Sequence, residues 1–380
     1  MISLNQASNS LTPHDFANQD EKFHRAFAVL QQGIKKKAFP GASVAVTRHG
    51  KLIALKGLGH FTYSKSSPPV RAHTIYDLAS LTKVVATTAM CMILYDRGKF
   101  HLDQKVVEVL PEFAGSDARR SRVTFRMLLA HSSGLPAYVK LFETSQNREE
   151  LLAQAFAVPL TGDPGSRAEY SDIGFIVLGV ALERVAGEML DGFFDREILG
   201  PTFDPAEPAL MGFDFARKPW AAFIPPTERD RTYRRRSIRC EVHDENAWAM
   251  GGVAGHAGCF GEARAVAAFA QCMLRGGAPL FRAHTVELFT RREHSPPGTS
   301  RALGWDTPSS PSQSGRYFSP QSYGHLGYTG TSLWNDPERQ VSVTLLTNRT
   351  WPDRKSQAIK QIRPAFHDAV MQAIEPAISR

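Results

Sequence analysis

The sequence predicts an α+β protein: an antiparallel sheet flanked by helices, with an inserted mainly helical domain. Three observations predict it. Helix and strand patterns open the chain, strand and helix patterns close it, and the long middle reads as helical segments broken by Gly and Pro loops. The simplest arrangement joins both ends in one sheet, so that residues 18–98 plus 293–380 form one unit and 99–292 the insert. Dividing 380 residues by about 150 per domain also gives two to three units.

Residues 1–17 read as a polar arm. Phe23, Phe27, Leu30 and Ile34 then fall at helical spacing; Lys35, Lys36 and Lys37 sit where cations suit the helix dipole, and Pro40 stops the helix. Ser43–Thr47 and Leu52–Leu55 flank a His49-Gly50 turn as a hairpin. Beyond a Ser/Pro-rich loop at 64–69, a long helical pattern runs from Leu81 to Tyr95. Thr124–Leu129, Ile173–Ala186 and Ala263–Leu274 are helical patterns of the middle. Val341, Val343 and Leu345 alternate within a strand at Gln340–Thr347, and a final helix covers Pro364–Ala377 with Pro364 in its first turn.

Composition narrows the function classes. Apolar residues make up 42% and charged residues 22%, which excludes coiled coil, collagen and wholesale disorder. Lys plus Arg exceed Asp plus Glu by 45 to 37, a net +8 that permits an acidic partner without demanding one. The four cysteines form no C-x-x-C pair, and Cys91 lies in an apolar run as a small core residue. The 13 histidines are scattered, so neither a metal nor another cofactor is expected. The first residues carry no basic n-region or apolar h-region, and the longest apolar stretch, Val84 to Tyr95, is too short to span a bilayer. The expected location is cytoplasmic, or periplasmic or secreted if a leader precedes this sequence.

Chemistry concentrates at Ser80-Leu81-Thr82-Lys83, where a loop enters a helix. Serine three residues before lysine puts both side chains on one helix face. An amine kept neutral there can take the hydroxyl proton and create a nucleophile. The bland alternative is an N-cap serine followed by a surface lysine.

Asp77-Leu78-Ala79-Ser80-Leu81-Thr82-Lys83 resembles the nucleophile motif of the serine β-lactamase and penicillin-binding protein family. Four further segments resemble that family in the same order. Leu128 to Pro136 is similar to its L-L-x-H-x-S-G-L-P segment, and Tyr170-Ser171-Asp172 to its Y-x-N motif. Gly251 to Gly258 is similar to its glycine-rich segment, and His325-Leu326-Gly327 to its K-T-G strand in the H-x-G form. The resemblance covers about residues 23–375. It implies the β-lactamase/transpeptidase-like fold, class C-like and including the family's carboxylesterases. It also implies Ser80 as nucleophile, Lys83 as its activator, Tyr170 as partner base, and an oxyanion hole from the N–H groups of Ser80 and Tyr328, after Gly327.

Three departures matter. Asp172 stands for the expected Asn, and an ionised carboxylate accepts where an amide can donate; it either faces substrate or caps the helix at Ile173. His325 stands for Lys and replaces a fixed charge with a titratable one. Leu326 stands for Thr and removes a hydroxyl. All three weaken recognition of a substrate carboxylate, so Asp172, His325, Gly327 and Tyr328 are expected to line a site for a small-molecule ester or amide.

The expected function is therefore a serine hydrolase acting on short acyl esters. The alternatives are a β-lactamase or D-Ala-D-Ala carboxypeptidase, and a non-catalytic binding or assembly protein on the same fold. The absence of G-x-S-x-G argues against a nucleophile-elbow hydrolase. His131 reads as structural, the glycines at 251, 252, 255 and 258 as a close backbone turn, and His256 as a loop residue. His243, Asp244 and Glu245 read as a hydrogen-bonded loop rather than metal ligands. Arg229 to Arg239, the strongest basic run, reads as a loop with local acidic partners, and no nucleic acid is expected. The motifs do not address oligomeric state.

Overall fold

The computed structural model describes residues 18–202, 210–215 and 220–374. The arm at 1–17 and the expected helix end at Ala377 lie outside the described residues.

Helix α1 (His24–Lys35) leads into strands β1 (Gly41–Arg48) and β2 (Lys51–Gly59). Their turn holds His49 at φ 48° and Gly50 at φ 81°, the two positive values that a tight hairpin matched to strand twist requires. Near the other end come β6 (Tyr323–Leu326), β7 (Ser332–Asp336) and β8 (Val341–Thr347). For this count β3 (Ile75–Asp77), β4 (Met211–Gly212) and β5 (Phe260–Glu262) form a separate small sheet with β5 in its centre. The main sheet is antiparallel throughout in the order β2-β1-β8-β7-β6. The N-terminal hairpin thus pairs with the C-terminal strands, Val44 opposite Leu345, as expected.

Alternation separates the two faces. Val44, Val46, Val343 and Leu345 pack outward with Phe27 and Leu30 of α1 and with Phe366 and Val370 of the last helix. Ala45, Leu333 and Leu346 face the other way, into a core that runs on through the helical middle and contains Cys91. Helix α4 (Ala263–Leu274) packs on β1 and β8, although the sequence assigns it to the insert. Its Val266, Phe269 and Met273 belong to the same inner core. The remaining helices used below are α2 (Ala89–Asp96, entered through a wide π-helical turn at Lys83–Thr88) and α3 (Asp172–Ala186).

The last helix, α5, differs from expectation. It spans Ile359–Ile374, so Pro364 lies inside it rather than in its first turn. A proline has no N–H for the carbonyl four residues back, which here is Lys360. Gln313 Nε2 donates to that carbonyl at 3.1 Å, so the helix can start earlier than its proline suggests.

Candidate active site

Strand β3 carries the chain to Ser80. Leu78 N–H donates to the Cys259 carbonyl on the β5 side at 3.0 Å, and a short 3₁₀ turn, Ala79–Leu81, follows. Ala79 sits at φ 48°, a conformation costly for a residue with a Cβ. Buried Asp77 supports it: Oδ1 accepts from the Ala79 N–H at 2.8 Å and Oδ2 from the His243 N–H at 2.6 Å.

The opposite wall is the turn between β6 and β7. Thr329 Oγ1 donates to the Asp77 carbonyl at 2.8 Å, and Thr331 Oγ1 to the Leu78 carbonyl at 3.0 Å. Two hydroxyls therefore clamp the segment before Ser80 to the segment around Tyr328. Gly327 must be glycine here, because a Cβ would overlap Thr331 Oγ1 and come within 2.6 Å of the Leu78 carbonyl. Ser80, Tyr170, Asp172, His325, Gly327 and Tyr328 all border one cleft of about 1180 Å³.

Lys83 is fully buried behind Ser80. Its Nζ donates to Ser80 Oγ at 3.0 Å, to Asp172 Oδ1 at 2.6 Å and to the His256 carbonyl at 3.0 Å. Burial alone would lower the lysine pKa, but the Asp172 carboxylate and Tyr170 outweigh it and the net direction is upward. Lys83 is thus an ammonium, not the surface lysine of the bland reading and not a resting neutral amine. The Tyr170 ring centroid lies 4.9 Å from Nζ, and its hydroxyl interacts with Lys83 and Ser80. Burial pushes that phenol upward despite Lys83, so Tyr170 rests protonated.

The helix cap resolves the two readings of Asp172. Ser171 is the N-cap of α3: its Oγ accepts from the Gly174 N–H at 2.9 Å and donates to the Pro136 carbonyl at 2.7 Å. Asp172 is the first helical residue, which leaves its carboxylate for Lys83. It borders the cleft, but its strongest contact is with the lysine rather than outward to a substrate.

His325 also departs from expectation. Nδ1 donates to the Leu326 carbonyl at 2.8 Å, which fixes Nε2 as the acceptor nitrogen of the neutral ring. Burial, then Lys83 and Arg301, hold its pKa well below 6.5. It therefore supplies a neutral acceptor, not a titratable cation, and Nε2 has no hydrogen-bond partner among the described residues. Besides Lys83, a second cation in this corner is Arg301, 5.4 Å from the Tyr170 ring centroid and 3.7 Å from Asp306.

His131 is structural, as read. Its Nδ1 accepts the Ser171 N–H at 3.1 Å, its ring packs 4.7 Å from Tyr170, and burial keeps it neutral. The glycine-rich turn has a sharper purpose than expected. Gly255 meets Gly179 of α3 so closely that a Cβ on Gly255 would overlap the Phe175 carbonyl and sit 2.9 Å from Gly179 Cα. This contact brings the His256 carbonyl onto Lys83, while His256 Nε2 donates to Asp244 Oδ1 at 2.8 Å. Sequence reasoning missed this carbonyl, Arg301 and the Asp77 brace.

The outer cleft is built differently. Glu228 accepts from His243 Nε2 at 2.7 Å and from Arg354 Nε at 3.0 Å, and Arg354 Nη2 reaches Glu245 at 2.7 Å. Arg234 donates to the Val242 carbonyl at 2.7 Å and to that of His243 at 2.5 Å. Arg236 pairs with Glu241, and Arg239 donates to the Ile224 and Ala221 carbonyls at 2.8 Å each. Three of the run's six arginines, Arg234, Arg236 and Arg239, are thus engaged by neighbouring carbonyls or a local carboxylate. Tyr328 stacks on His243 at 5.7 Å, with the Arg349 guanidinium 4.3 Å from its ring centroid.

A serine beside a buried lysine, on a two-ended antiparallel sheet, is the architecture of the serine hydrolases that share the β-lactamase and penicillin-binding protein fold. The chain belongs to the β-lactamase family, whose description it matches over residues 26–365. It is 33% identical over 344 residues to an Escherichia coli (strain K12) protein named "Putative D-alanyl-D-alanine carboxypeptidase", covering 82% of this chain and 79% of that one. A Salmonella enteritidis protein of the same name is 32% identical over 373 residues, covering 89% and 85%. Among solved structures, "EstCE1, a hydrolase with promiscuous acyltransferase activity" superposes with a TM-score of 0.75 at 22% identity, covering 93% of this chain and 99% of that one. A penicillin-binding protein homologue from Caulobacter crescentus gives 0.72 at 18% identity, covering 92% and 98%. At these identities the two structures speak for the fold. No helix among the described residues is long and apolar enough to cross a membrane.

Proposed function

We propose that the protein is a carboxylesterase that forms an acyl-enzyme on Ser80. The observation that carries this reading is the Lys83 Nζ to Ser80 Oγ distance of 3.0 Å at the floor of a cleft, with Tyr170 beside both. Ser80 Oγ attacks the acyl carbonyl, and its proton passes to Lys83 Nζ as the lysine yields one of its own to a neighbouring acceptor. The N–H groups of Ser80 and Tyr328 receive the developing oxyanion, held by the Thr329 and Thr331 clamps. Collapse expels the alcohol, and water then releases the acid. The neutral His325 and the Leu326 side chain favour an uncharged ester over a substrate that must anchor a carboxylate beside the H-x-G strand.

A second reading, D-Ala-D-Ala carboxypeptidase or β-lactamase activity, is favoured by Arg301, which puts a guanidinium next to Tyr170 and His325. It also accords with the name of the curated relatives. Parallel assays of p-nitrophenyl acetate and butyrate, nitrocefin, and a peptide ending in D-Ala-D-Ala distinguish the two. Ester turnover well above the others is expected; fast nitrocefin or peptide turnover with no ester turnover reverses the order.

A further inference from the structure

Lys83 presents a problem of proton accounting. An ammonium has three N–H bonds and no lone pair. All three are directed at acceptors, Ser80 Oγ, Asp172 Oδ1 and the His256 carbonyl. In that state Lys83 cannot take a proton from Ser80. It must first give one up, and two of its three acceptors have no usable site for it: a serine hydroxyl and an amide carbonyl. The third is a carboxylate at 2.6 Å, on the first turn of α3.

We infer that Asp172 is the proton-holding partner of Lys83, a positioning residue that makes the lysine a base only for the moment of attack. This inference rests on the reading of Ser80 as nucleophile. As the Ser80 Oγ–acyl carbon bond forms, the Ser80 proton moves to Lys83 Nζ while a Lys83 proton moves to Asp172 Oδ1. The site then holds an oxyanion, an ammonium and a neutral carboxylic acid, the same net charge as before. When the acyl–oxygen bond breaks, the leaving alkoxide takes a proton from Lys83, and Asp172 returns its own to the lysine. The alcohol departs and the starting ion pair is restored.

The substitution of aspartate for the asparagine of the Y-x-N pattern acquires a meaning on this account. With an amide at 172, no acceptor for the lysine proton remains there, and Lys83 must be deprotonated by solvent before it can act. The reacting form of the native pair carries one proton more than the reacting form of an asparagine variant. The acid limb of the variant therefore reports the loss of a lysine proton that the native pair keeps.

The other groups facing the pair are Ser80, Tyr170, Tyr138, His131, His325, Arg301 and Asp244. The two histidines are held well below 6.5 and the two tyrosines are raised, so none of these four moves the limb between the variants.

The test is the rate of Ser80 modification by an uncharged fluorophosphonate, followed by intact mass from about pH 4 to about pH 10. Asp172→Asn is expected to move the acid limb alkaline by more than about one pH unit, with reactivity returning at high pH. Asp172→Glu, which keeps a carboxyl, is expected to leave the limb near its native position even if the rate falls. Superimposable limbs in the native and Asn proteins overturn the inference while leaving Ser80 as nucleophile. A Glu limb displaced as far as the Asn limb does the same. Native protein that never labels on Ser80 overturns the underlying reading instead. Asp172→Ser provides the same comparison if the Asn variant does not fold.

Discussion

The two ends of the cleft use charge in opposite ways. Around Glu228, His243, Arg354 and Glu245, each charge has a partner and several have two. Around Ser80, the Lys83–Asp172 pair stands among neutral rings, with Arg301–Asp306 and His256–Asp244 behind them, and His325 presents an acceptor that no described residue uses. A saturated network holds a wall in place, because moving any member strands another buried charge. A sparse one leaves a proton free to be moved and an acceptor free to meet a substrate. The outer end is built for position and the inner end for reaction.

The largest break in this comparison should come from Ser80→Ala. Ester turnover is expected to fall by at least about 10³-fold with little change in thermal stability, since the hydroxyl's partners, Lys83 and Tyr170, both lie within the site. Retained turnover in a steady-state assay would remove the inner end from the chemistry.

Gly327→Ala joins the two ends. Its Cβ would push apart the Thr331–Leu78 clamp, so both activity and stability should fall, the latter by about 1–3 kcal/mol in denaturant titration. A stable variant with full activity would show that the clamp does not hold the oxyanion wall.

Glu228→Gln should separate the ends. Burial alone would raise this carboxyl, but bonds from His243 and Arg354 hold it at about 2, against an ordinary value of 4.5. A depressed folded pKa contributes stability that is present above about pH 4.5 and lost as pH falls through about 2. The variant should lose about 2–3 kcal/mol near neutrality and show a flatter stability profile below about pH 4.5. Urea titrations across that range check it.

The smallest effect runs the other way. Burial raises Glu262, beside the small sheet, to about 6. A raised folded pKa means stability present below the unfolded value and lost as pH rises through about 6. Glu262→Gln should therefore stabilise the protein at pH 7 by about 1–2 kcal/mol, with no change near pH 4. A destabilised variant at pH 7 would show that the ionised carboxylate is needed there.

The inner end was far more legible in the sequence than the outer. Ser80 and Lys83 are one helical turn apart, and Tyr170 sits in a short motif, so their spacing announces them. The two-ended sheet was equally readable, because Val341, Val343 and Leu345 alternate with polar residues in β8 and the His49-Gly50 turn marks the β1–β2 hairpin. What the spacing could not convey was state: Asp172 lies 89 positions from Lys83, and only the Ser171 cap releases it for the lysine. The outer network joins residues more than a hundred positions apart, such as Arg354 and Glu228, with no motif to mark them. The strands of the small sheet, two or three residues each, are too short to show a period. Pro364 misplaced the last helix because its compensating donor, Gln313, comes from a distant loop.

The central claim is that chemistry occurs on one serine. Treatment of the native protein with a fluorophosphonate, followed by trypsin and mass spectrometry, should give a single adduct on the peptide Ala72–Lys83, localised to Ser80. An adduct on another residue, or none while ester turnover proceeds, would contradict it.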